Sequence, residues 1–91
     1  MSQITVLIAD DHALFREGLR LVLAKEKSIQ VVGEATDGTQ ALIMTEALRP
    51  HILLLNVRLP EVQGLDALPP LLAKSPGTKI LILPGHPEDD F

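Results

Sequence analysis

Two acidic residues stand side by side in "ADDH", Ala9 to His12, directly after an aliphatic run. Adjacent carboxylates at the mouth of a sheet suit a hard cation, because magnesium prefers oxygen ligands and keeps several of its waters. The same pair, Asp10 and Asp11, could instead cap a following helix, whose positive end stabilises a carboxylate. A third polar residue, Asn56, closes another aliphatic run, "HILLLN". An amide is neutral, a poor nucleophile and a weak magnesium ligand, so covalent catalysis through an aspartyl phosphate is closed at that position. Taken by itself, Asn56 is a polar residue that finishes a buried strand and bonds its own backbone in a turn. His12, His51 and His86 fit no zinc spacing, and no serine or cysteine stands in a nucleophile motif. His12 and His86 read as surface residues near the pocket and His51 as a strand-start residue. "DGTQ", from Asp37, lacks the phosphate-loop pattern.

These residues depend on the elements around them. Four short aliphatic runs begin at Ile4 ("ITVLIA"), Ile29 ("IQVVGEA"), His51 ("HILLLN") and Lys79 ("KILIL"). They are continuous rather than alternating, which suits strands covered on both faces, as in a parallel sheet. Between them the spacing is helical. Phe15, Leu19, Val22 and Leu23 share one face of a first helix, and Ala41, Met44, Thr45 and Leu48 share one face of a second. Asp37 can cap that second helix, with Gln40 three residues later, and Pro50 disfavours helix at Arg49. A third helix is expected over roughly Gly64 to Lys74, kinked or shortened by Pro69 and Pro70. Strand and helix alternate throughout, the pattern of an α/β doubly wound parallel sheet whose ligands gather at the carboxyl ends of the strands. If the first and third strands are neighbours, Asp10 and Asp11 converge on Asn56.

Composition narrows the function. The 91 residues fit one domain, and with 46% hydrophobic residues but only two aromatic ones the core must be aliphatic. A formal charge of -4 repels the phosphate backbone of nucleic acid on average, which argues against direct DNA binding by this segment. There is no cysteine, which removes disulfides, thiolate metal sites and cysteine nucleophiles. No apolar run reaches the roughly 20 residues a membrane helix needs, so the expectation is a soluble, cytoplasmic protein.

The run "VLIADDHALFREGLRLVLAKEKSIQVVGEATDGTQAL", followed by "RPHILLLNVRLPEVQGLDAL" and "TKILIL", resembles the receiver domain of two-component response regulators, most closely the NarL/FixJ type. The resemblance spans almost the whole chain, 1–91, as one receiver-like domain incomplete at its C-terminal end. It implies a flavodoxin-like (CheY-like) sheet ordered 2-1-3-4, with the fifth strand and last helix missing. It also implies a magnesium ion at the strand ends and phosphoryl transfer from a sensor histidine kinase to an aspartate at the position of Asn56. By the same resemblance Asp11 is a direct magnesium ligand, Asp10 acts through water, and the carbonyl of Arg58 completes the set. Pro60 and Gly64 shape the loop before the third helix.

The departures bear on function. Asn56 holds the phosphoacceptor position without acceptor chemistry, and magnesium is held more weakly for lack of its charge. Pro84 falls where the family's Ser/Thr switch hydroxyl belongs, and the family's lysine has no counterpart. The expectation is a non-enzymatic signalling module, the amino-terminal part of a transcriptional regulator, unable to accept phosphate at Asn56. It would reach DNA only through a downstream output domain. The alternatives are a small magnesium-dependent phosphotransfer or phosphohydrolase domain using Asp10 or Asp11 with His12 or His86, and a purely structural interaction domain. A bare "ILIL" edge, Ile80 to Leu83, would favour a homo-oligomer or swapped dimer.

Overall fold

The computed structural model describes residues 3–56 and 68–83. Strands β1 (Ile4–Ala9), β2 (Ile29–Ala35), β3 (Ile52–Asn56) and β4 (Lys79–Leu83) alternate with helices α1 (Ala13–Leu23), α2 (Gly38–Leu48) and α3 (Leu68–Lys74). All pairings are parallel, in the order β2-β1-β3-β4. This is the expected α/β doubly wound sheet, with β1 in the interior, next to β3. The continuous runs of β1 and β3 follow from that position, because an interior parallel strand is covered on both faces. The run of β4 is not so covered, its consecutive Leu81 and Ile82 both being exposed. Leu7, Ala9, Ala35, Ala41, Leu53 and Leu55 form one buried cluster, with Leu42 and Met44 of α2 and Ile80 of β4 packed against it. Val6 and Ile8, on the other face of β1 by alternation, are buried as well.

One irregularity fits α2 to the sheet. Val6 pairs with Val31 but Leu7 pairs with Gly33, so Val32 is an extra residue and β2 bulges there. A Cβ on Gly33 would lie 2.6 Å from Met44 Cε, 3.2 Å from Leu7 Cδ1 and 3.3 Å from Leu48 Cδ1. The bare backbone of Gly33 therefore admits the α2 side chains against the sheet.

α2 begins as its sequence suggests. Asp37 is the N-cap and its Oδ1 accepts the Gln40 amide at 2.8 Å. Gln40 Oε1 accepts the main-chain N–H of Thr36 at 2.9 Å, one residue before the usual partner in a capping box. The helix ends before Pro50 as expected, but Arg49 is left-handed (φ 45°, ψ 58°) rather than extended. That conformation lets the Arg49 N–H close the helix on Thr45 O at 2.9 Å.

Two polar links fasten the amino-terminal end of the sheet. Thr5 N donates to His51 Nδ1 at 2.9 Å while His51 N donates to Thr5 Oγ1 at 3.0 Å, joining β1 to the residue before β3. Thr78 Oγ1 donates to Pro50 O at 2.6 Å and accepts from Ser75 Oγ at 2.6 Å, both hydroxyls being buried. The expected apolar face of α1 is only partly covered: Leu19 and Leu23 are half-buried, no α1 residue is fully buried, and Val22 is 61% exposed. β4 is the edge strand of the described sheet, with Leu81 and Ile82 exposed. Pro69 and Pro70 are the second and third described residues of α3. The earlier part of the expected third helix lies outside the described residues.

Candidate functional site: the carboxyl ends of β1 and β3

β1 and β3 pair through Ala9 and Leu55, and one residue further along each stand Asp10 and Asn56. Both are buried. The Asp10 N–H donates to Ala35 O at 3.0 Å, so the chain leaves β1 still tied to β2. It then turns at once: Asp10 Oδ1 accepts the His12 amide at 2.8 Å. Asp11 occupies the corner of that turn, its side chain 36% exposed at the mouth of the site.

The acidic pair does not cap α1 directly. The N-cap residue is His12, whose side chain makes no capping bond, and no acidic residue lies in the first turn. Nor is His12 a detached surface residue. Its Nδ1 lies 2.9 Å from Asp11 Oδ1 and 3.3 Å from Asp10 Oδ1, with the side chain 27% exposed. Sequence reasoning placed His12 near the pocket but missed this contact. The signal was present, since an Asx turn at Asp10 brings residue 12 back over it. One oxygen of each carboxylate and the His12 nitrogen all lie within 4.8 Å of one another. Two hard oxygens and an imidazole nitrogen at that spacing fit a divalent cation.

A second layer holds the turn. Arg16 Nη1 of α1 donates to the main-chain carbonyl of Asp10 at 2.7 Å, and Arg16 Nε reaches Glu34 Oε1 of β2 at 3.2 Å. Glu34 Oε2 takes Arg20 Nε at 3.2 Å. Arg16 and Arg20 are one helical turn apart, so both face the same carboxylate. Of the other positions named from sequence, Arg58, Pro60, Gly64, Pro84 and His86 lie outside the described residues. His51 stands at the opposite end of β3 from Asn56, away from the site.

The family model of the response regulator receiver domain matches residues 6–91. The chain belongs to the response regulator receiver family. Among curated relatives, this receiver is 34% identical over 90 residues to the transcriptional regulatory protein DegU of Brevibacillus brevis, covering 99% of this chain and 38% of that one. It is 38% identical over 88 residues to the response regulator GacA of Pseudomonas protegens, covering 97% and 41%. Among solved structures it superposes on the receiver domain of the response regulator NarL from Mycobacterium tuberculosis with a TM-score of 0.86 and 35% identity, covering 94% of this chain and 69% of that one. The receiver thus spans about two fifths of the length of the curated relatives it matches. The NarL/FixJ resemblance and the flavodoxin-like order 2-1-3-4 are both borne out.

Proposed function

We propose that this receiver serves two-component signalling without accepting a phosphoryl group at Asn56. The observation that supports it is the position of Asn56: buried at the end of β3, one residue past the Ala9 and Leu55 pair and beside Asp10. An amide there has the shape of an aspartate but neither its charge nor its nucleophilic oxygen. Asp11 would hold magnesium directly, Asp10 through water, and the Arg58 carbonyl would complete the set. When bound, the cation supplies positive charge that offsets oxyanions at the strand ends. Asn56 contributes no charge towards it, so affinity is lower than an aspartate would give. Output then depends on contacts with partner proteins: a sensor histidine kinase upstream, and a DNA-binding output domain after the receiver, both acting in the cytoplasm. The exposed Leu81 and Ile82 at the β4 edge support pairing with a second copy, which Leu81→Lys should weaken in sedimentation.

Acetyl phosphate with magnesium tests the central point. Intact mass should show no phosphoryl adduct on the parent chain and a partial, slow one on Asn56→Asp. A stable phosphoryl group on any residue of the parent would sink the proposal. A hydrolase gains some support from His12, which stands against both carboxylates as an acid or base would. Following phosphate release in the same experiment separates the two: turnover lost in His12→Ala would favour the enzyme.

A further inference from the structure

We propose that Arg16 is a positioning residue: it fixes the turn from Asp10 to His12, and through it the direction in which Asp11 presents its carboxylate. The proposal rests on the cation-site reading above for its consequence, but its geometry stands apart from it. Both main-chain groups of Asp10 are engaged, the N–H with Ala35 O at 3.0 Å and the carbonyl with Arg16 Nη1 at 2.7 Å. The Asp10 carboxylate is engaged too, accepting the His12 amide. Asp11 lies between these ties and is aimed by them.

The guanidinium can serve the carbonyl because Glu34 holds its other edge. Arg16 is only 14% exposed, and its planar fork meets Glu34 with Nε and Asp10 O with Nη1 from one rigid group. Lysine could reach one of these acceptors but not hold both. Glu34 also offsets charge. Arg16 and Arg20 would otherwise place two positive groups beside a site for a dication, and Glu34 bonds both.

Charge and position predict opposite signs, which makes the inference decidable. Removing a cationic side chain near a dication site should tighten cation binding if only charge mattered. Loss of positioning should loosen it, as removal of groups that orient metal ligands does, by about 10-fold. The experiment titrates the 91-residue chain with Mn2+, read by electron paramagnetic resonance of the free ion, and follows exchange of the His12 amide by nuclear magnetic resonance. Arg16→Ala should weaken Mn2+ binding about 10-fold and speed His12 exchange. Arg20→Ala, which loses the same Glu34 but no bond to Asp10, should leave His12 exchange unchanged and should not weaken Mn2+ binding, because it removes only charge. Arg16→Lys should recover part of both. Unchanged or tighter Mn2+ binding in Arg16→Ala, or unchanged His12 exchange, would overturn the inference. A parent chain that binds no Mn2+ would overturn the cation reading, and His12 exchange would still decide the role of Arg16. If Arg16→Ala does not fold, the comparison of Arg16→Lys with the parent carries the same two outcomes.

Discussion

Asn56→Asp restores a carboxylate with almost no change in shape, so its effect on stability isolates charge. Asn56 and Asp10 are both buried and stand one residue past a paired position on adjacent strands. Neighbouring strands lie about 4.8 Å apart, which puts the two side chains roughly 5 Å from each other. At an effective dielectric of about 20, two unit charges at that distance repel by about 3 kcal/mol. The variant should therefore be at least about 3 kcal/mol less stable than the parent in a chelator, because desolvation of the new carboxylate adds to the repulsion. Magnesium should reverse this, since a ligand at 100 times its dissociation constant stabilises by about 2.7 kcal/mol. The parent should gain much less at the same concentration. Urea unfolding with and without magnesium measures both effects, followed by circular dichroism because the chain has no tryptophan or tyrosine. Salt should help little, because buried charges are poorly screened. Equal stability of parent and variant in chelator, with no magnesium response, would show that residue 56 and Asp10 do not share a pocket and would refute the assignment of Asn56 to the acceptor position.

Other substitutions test the scaffold. Thr78→Val removes a buried hydroxyl that donates to Pro50 O and accepts from Ser75, and should cost about 1–3 kcal/mol in urea unfolding, whereas Thr78→Ser should cost less. Gly33→Ala should cost about 1 kcal/mol and Gly33→Val up to about 3 kcal/mol, because even the first Cβ must displace Met44 Cε and press on Leu7 and Leu48. Asp37→Ala deletes the cap of α2 and should lower stability by about 1 kcal/mol, with Asp37→Asn nearly neutral. Leu53→Ala, at a position with no solvent exposure beneath the site, should cost about 2–5 kcal/mol and show as a lower melting temperature.

The sequence by itself determined the element order, the parallel sheet and the carboxylate pair at its mouth. These are local signals. A continuous aliphatic run marks β1 and β3 as strands covered on both faces, though the same kind of run in β4 is exposed, and helical spacing with Asp37 ahead of it states where α2 begins. Neighbouring β1 and β3 then bring "ADDH" towards Asn56, and the register confirms it. What the sequence could not fix depends on contacts between distant residues. Thr5 and His51 are 46 positions apart, and Pro50 and Thr78 are 28 apart. The extra residue at Val32 appears only once β2 is in register with β1, and with it the reason for glycine at position 33. The face of α1 shows the converse: its helical spacing promised burial, yet whether a face is covered depends on what packs there, and while Leu19 and Leu23 are half-buried Val22 remains exposed. Arg16 reads from sequence as one more charge on a helix. Only the packing of α1 beside β2 turns it towards the Asp10 carbonyl, because a main-chain acceptor has no side-chain identity to announce it, and Glu34 becomes its partner only when β2 lies alongside.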